Sequence, residues 1–138
     1  MPLLGREAGT QVFRDLDEHA GDETFPGLAV LSLDGGLFFA TAEALENRVR
    51  ELIDAGGLHA IVLDLEGADF VDSQGSSKLT ELHELADANG ISLRLARVKP
   101  PVLRVLEADG VIGRIGADHV HGNIARAVEA QLAAAPGQ

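Results

Sequence analysis

The sequence has no cysteine, no tryptophan and no tyrosine, and its aromatic content is five phenylalanines. Without thiols it offers no disulfide framework, no cysteine-ligated zinc site and no thiol nucleophile. Positive charge is also scarce: 11 Lys and Arg stand against 22 Asp and Glu, a net charge of −11. Nucleic acid demands dense cationic surface and, for single strands, aromatic platforms, so no nucleic-acid partner is expected. No apolar run reaches the roughly 18 residues of a bilayer-crossing helix. The opening Met1-Pro2-Leu3-Leu4-Gly5-Arg6 lacks the apolar stretch of a secretory leader. The expectation is a soluble cytosolic chain with no direct membrane insertion.

The 138 residues, 46% hydrophobic and 24% charged, match one ordinary globular domain. Residues 1–138 read as a single domain, with 1–26 a polar N-terminal extension carrying a short strand around Thr10–Arg14. Residues 27–135 read as an α/β core. Leu28–Leu33 predicts a strand closed by the turn Asp34-Gly35-Gly36, and Leu37-Phe38-Phe39 a short strand or an edge. Thr41 is placed to cap a helix striped by Leu45, Val49, Leu52 and Ile53, which Gly56-Gly57 stops. The near-continuous apolar run Ala60–Leu65 suits a central strand covered on both faces. A polar turn, Asp72-Ser73-Gln74-Gly75, precedes a helix faced by Leu79, Leu82, Leu85 and Ala86 and ended by Asn89-Gly90. Ile91–Ala96 alternates as a strand. Pro100-Pro101 opens a helix lined by Val102, Leu103 and Leu106 and stopped by Gly110. Val111-Ile112 reads as a last short strand or a packed loop, and Ile124, Val128 and Leu132 stripe a C-terminal helix. Strands alternating with helices over short loops imply right-handed crossovers and a largely parallel sheet.

Three constellations invite chemistry. Asp64, Asp69 and Asp72 follow the central strand, where open α/β sheets bind ligands; converging, they would hold Mg²⁺ or accept a phosphoryl group, and otherwise they are solvated or backbone-bonded. Asp72-Ser73-Gln74-Gly75-Ser76-Ser77 opens a helix, whose first-turn amides attract anions and whose hydroxyls are candidates for phosphorylation. Capping accounts for one of these residues, not for three serines behind an acid. Arg94, Arg97, Lys99, Arg104 and Arg114 crowd a span holding only Glu107 and Asp109 as acids, either a docking face for an anion or acidic partner or a solvated edge. His119 and His121 are spaced for a strand-borne metal pair but are dispersed from the other histidines. Gly-x-Ser-x-Gly, the Walker loop and Gly-x-Gly-x-x-Gly are absent.

Apolar strand, acidic turn, Asp-Ser-x-Gly and amphipathic helix across Ile61–Ser77 resemble the STAS domain, shared by sulfate transporters and anti-sigma-factor antagonists. Leu4-Gly5-Arg6, Val12–Leu16, Pro26-Gly27, Leu37-Phe38-Phe39-Ala40-Thr41-Ala42 and Leu95–Lys99 resemble the transporter branch, the cytoplasmic C-terminal domain of SulP-family anion transporters. The resemblance implies a mixed, mainly parallel sheet flanked by helices on one side. It implies a non-enzymatic regulatory domain at the cytoplasmic face of the membrane, with the transporter's transmembrane region and a cytosolic protein as partners. Contact would run through the loop Asp72–Ser77, with no required cofactor, although some family members bind guanine nucleotides or an acyl carrier protein. Stand-alone relatives are phosphorylated directly before the motif glycine. Gln74 holds that place here, leaving Ser73 as the candidate phosphoacceptor. Arg94, Arg97, Lys99 and Arg104 would then serve an anion or acidic partner. A free-standing anti-sigma-factor antagonist is the alternative within the family, and a Mg²⁺-dependent phosphoacceptor or small enzyme using Asp64, Asp69 and Asp72 the alternative outside it.

Overall fold

The computed structural model describes residues 1–134; the end of the expected core, residue 135, and the tail 136–138 lie outside the described residues. Strands β1 (Leu4–Arg6) and β2 (Phe13–Asp15) form an antiparallel hairpin. The main sheet holds β3 (Leu28–Asp34), β4 (Ala60–Gly67), β5 (Ser92–Ala96) and β6 (Val120–His121), in that spatial order and all parallel. Helices α1 (Phe39–Ala55), α2 (Ser73–Ala88), α3 (Pro100–Ala108), α4 (Val111–Ile115) and α5 (Ile124–Ala133) complete the chain.

Because side chains alternate along a strand, the sheet has two apolar faces. Leu31, Leu33, Ile61, Leu63, Leu65, Leu93 and Leu95 form a core with Leu45 and Val49 of α1, Leu79 and Leu82 of α2, Leu106 of α3 and Ile112 of α4. Leu28, Val30, Ala60, Val62 and Ala96 face the other way, against Ile124, Ala127 and Val128 of α5, with Leu4, Phe13 and Phe25 packed beside them. Both faces are therefore covered. The one-sided arrangement implied by the family resemblance does not hold here, whereas the doubly covered central strand does.

Local chemistry moves several boundaries. Phe38, not Thr41, is the residue before the first turn of α1. Thr41 is the third residue of that first turn, where its hydroxyl accepts from the Phe38 amide at 3.1 Å and donates to the Gly36 carbonyl at 2.6 Å. Val111-Ile112 is helical, entered through Gly110 and buried in the larger core. In α5 the stripe ends early: Leu132 is exposed and Gln131 is buried. The first residues of the N-terminal extension lie against the main sheet. Leu3 bridges Leu31 in antiparallel register, and the Ser32 amide donates to the Pro2 carbonyl at 3.1 Å.

Candidate functional site

All four parallel strands point their carboxyl ends at one pole, and the loops after β3 and β4 are laced together there. The Leu37 amide donates to the Phe70 carbonyl at 2.8 Å, Leu37 bridges Val71, and the Asp72 amide donates back to the Leu37 carbonyl at 3.2 Å. Asp72 is extended and caps α2, its Oδ1 accepting from the Gly75 amide at 2.7 Å. A Cβ on Gly75 would collide with the Leu37 carbonyl oxygen, so glycine is required for α2 to approach this loop. Within Asp72-Ser73-Gln74-Gly75, the acid and the glycine hold the fold.

Three of the four residues between and after them face outward. Ser73, Gln74 and Ser77 are exposed, while Ser76 is buried. Ser73, Ser76, Ser77 and Thr80 line an open cleft of about 380 Å³ with Asp109 and Arg114 across it. Arg114 also reaches Glu84 at 3.7 Å.

The three aspartates do not converge. Asp64 is buried and bound by Arg97, whose Nε and Nη2 donate to Oδ1 and Oδ2 at 2.9 and 2.7 Å; the Ser32 hydroxyl and the Glu66 amide donate to the same carboxylate. This fork fits a carboxylate in two places at once, and it holds the Arg97 guanidinium above its ordinary pKa. Arg97 itself has φ 55°, a left-handed backbone that few non-glycine residues adopt; its amide is tied to the His121 carbonyl at 3.1 Å. Asp69 is exposed and paired with Lys99 at 2.6 Å, and Asp72 is the cap. The premise of a shared metal site fails because each carboxylate has a different partner. Among the described residues no group of three His, Asp or Glu side chains is arranged to hold a metal ion.

The basic segment is dispersed as well. Arg94 is buried toward α5, donating through Nε to Gln131 Oε1 at 2.8 Å and through Nη1 to His121 Nε2 at 3.1 Å. Arg97 and Lys99 are engaged as described, and Arg104 is exposed on α3, across the sheet from Arg94. These four do not share one face. Burial pushes the Arg94 guanidinium below its ordinary pKa, with Asp118 opposing. His121 is pushed down from 6.5 by burial, then by Arg94 and His119, again with Asp118 opposing. His119 donates Nδ1 to the Leu93 carbonyl at 2.9 Å. The two histidines thus serve different partners, and their spacing makes no metal pair.

Sequence reasoning missed the aromatic cluster beside the motif loop, where Phe38 stacks on Phe70, and the buried Arg94–Gln131–His121 group. The Phe38–Phe70 pairing had no local signal, since the two rings lie far apart in sequence. The missed burial of Gln131 had a faint one: it lies seven residues after Ile124 on the helical stripe.

This is the architecture of one known family. The STAS domain model matches residues 20–129, and the chain belongs to the STAS family. A probable sulfate transporter of Mycobacterium tuberculosis is 31% identical over 130 residues, 93% of this chain and 23% of that protein. The SulP transporter STAS domain of Vibrio cholerae superposes with a TM-score of 0.70 at 30% identity, covering 85% of this chain and 90% of that one. Murine Slc26a9, an anion transporter, gives 0.85 at 22% identity over 96% of this chain and 22% of its own. The anti-sigma factor antagonist SpoIIAA, unphosphorylated, gives 0.66 at 17% identity over 83% and 96%; it and murine Slc26a9 speak to fold alone. The chain spans about a fifth of the length of the curated relatives it matches.

Proposed function

We propose that this chain is the non-catalytic regulatory domain of a SulP-type sulfate or inorganic anion transporter, placed at the cytoplasmic face of the membrane beside the transporter's transmembrane region. It acts through protein contacts at Asp72–Ser77 and the start of α2. The observation that carries this reading is the division of labour in that loop: Asp72 and Gly75 are consumed in holding the backbone, so Ser73, Gln74 and Ser77 are presented on a rigid support. The kinship with sulfate transporters supplies the context. No cofactor enters the proposal.

Ser73 is the first residue of α2. A phosphate or carboxylate there would sit at the positive end of the helix dipole and change the charge that a partner meets, without disturbing the cap. In the transporter that carries this domain, Ser73→Asp is expected to shift sulfate uptake by about twofold or more, while Ala20→Asp, on the exposed N-terminal segment, leaves uptake unchanged. Equal effects from the two would remove the loop from the proposal. A free-standing anti-sigma-factor antagonist is the weaker reading, because Gln74 stands where the family's phosphorylated hydroxyl would be.

A further inference from the structure

Three of the five phenylalanines gather at the pole where β3 and β4 end. Phe38 and Phe70 stack with centroids 5.9 Å apart and planes 5° from parallel. The Phe70 ring lies so close over Gly36 that a Cβ there would strike it. Phe39 carries the Lys78 ammonium 5.3 Å above its ring centre. Ordered though they are, Phe39 and Phe70 remain 49% and 54% exposed. Rings already fixed lose little conformational freedom on contact, which is what a binding anchor requires.

The surroundings are negative. Asp34 and Glu66 at the ends of β3 and β4, Asp69 in the loop after β4 and Glu43 in α1 are exposed at this pole. The cations placed among them are engaged, Arg97 with Asp64, Lys99 with Asp69, and Lys78 with Glu46 and Glu81, which leaves Asp34, Glu43 and Glu66 as the acids without an ion-pair partner of their own among the described residues. A fixed apolar tile with an acidic rim is complementary to an apolar side chain flanked by Lys or Arg.

Size chooses among such partners. A fully buried aromatic contributes 150–250 Å², so two half-exposed rings offer about 200 Å², far below the roughly 800 Å² per partner of a stable interface between free molecules. A tethered partner needs much less, since linkage supplies an effective concentration on the order of millimolar. Relatives of this domain carry it within chains more than four times its length, and the cytoplasmic loops of membrane proteins are rich in Lys and Arg. The Pro2 carbonyl, bonded to Ser32 near the end of β3, puts the amino end of the chain at this same pole.

We propose that Phe38, Phe39 and Phe70, with Asp34, Glu43 and Glu66, form a docking tile for a Lys/Arg-rich cytosolic loop of the transporter's own membrane region that inserts an apolar side chain. This rests on the attachment proposed above and adds a surface that adjoins the serine loop but shares no residue with it.

The test is a titration of the ¹⁵N-labelled chain with the synthetic peptide Lys-Lys-Leu-Lys-Phe-Lys-Lys and its serine counterpart Lys-Lys-Ser-Lys-Ser-Lys-Lys. The first should move the amides of Gly36, Phe39, Glu43, Glu66 and Phe70, bind more tightly than the second, and weaken as salt rises. Phe39→Ser, at the exposed start of α1, should lower affinity about fivefold or more while preserving the amide spectrum. Phe70→Ser should act likewise, and Phe39→Ser decides if that variant disturbs the loop. Equal binding by Phe39→Ser, equal binding of the two peptides, or a footprint confined to residues 73–77 would overturn the tile. Concentration-dependent shifts of the tile amides without peptide would also overturn it, by making a second copy the occupant. A failure of the uptake experiment on Ser73 would leave this titration unchanged, so the two proposals fail separately.

Discussion

An alanine at position 75 would have to share space with the Leu37 carbonyl oxygen, which the Asp72 amide also uses. Neither group is the free end of a flexible side chain, so the loop or α2 has to shift. Gly75→Ala is therefore expected to cost about 3 kcal/mol, the range of overpacking and backbone strain. Asp72→Ala removes one capping hydrogen bond and should cost about 1 kcal/mol. Urea denaturation of both variants checks the ordering; a Gly75→Ala cost no larger than that of Asp72→Ala would mean the close approach is soft. From sequence, a cap at Asp72 or Ser73 and a tight approach at Gly75 could be read, because both roles follow from residue type beside a helix start; which of the two caps could not. The fate of Arg94 could not be read. A run of cations looks the same whether its members point to solvent, to a carboxylate 33 positions away as Arg97 does, or into the interior.

Among elements, β5, β6 and α5 meet at a group whose charge responds to pH. His121 of β6 accepts from Arg94 of the neighbouring β5, with His119 and Asp118 on the turn before it and Gln131 of α5 on the far side of the guanidinium. Its pKa in the folded chain lies below 6.5, so the unfolded chain takes up the proton first. Stability is then full above about pH 7 and falls as pH drops through 6.5 toward the folded value. Thermal melts between about pH 7.5 and 5.5 should show the loss, and His121→Gln should flatten that part of the profile. An unchanged slope in His121→Gln would assign the effect to other groups. The longer elements were legible, since α1, α2 and β3 to β5 carry stripes or apolar runs long enough to show a period. The three-residue β1, the two-residue β6 and the five-residue α4 are too short for one. They owe their form to neighbours: β6 to its pairing with Leu95 and Ala96, α4 to burial of Val111 and Ile112.

For the molecule as a whole, the order of strands and helices was enough to give a parallel α/β sheet, and the unbroken apolar run of β4 already required cover on both sides. Which helix supplies the second cover depends on where the chain crosses, and α5 does so only because β6 brings it past the last strand. The same topology leaves β3 at one border of the sheet and the brief β6 at the other. Residues 2–4 lie along the outer side of β3, through the Leu3–Leu31 bridge and the Pro2 carbonyl. They act as a guard rail: without them, the middle of this mostly apolar strand, around Leu31 and Ser32, would present unpaired backbone groups to any neighbouring chain, an open template for aggregation. Deleting residues 2–7 should therefore yield protein that gains thioflavin T fluorescence and leaves solution on concentration, while the full chain stays monodisperse. A deletion variant that stayed as dispersed as the parent would mean that this border needs no guard.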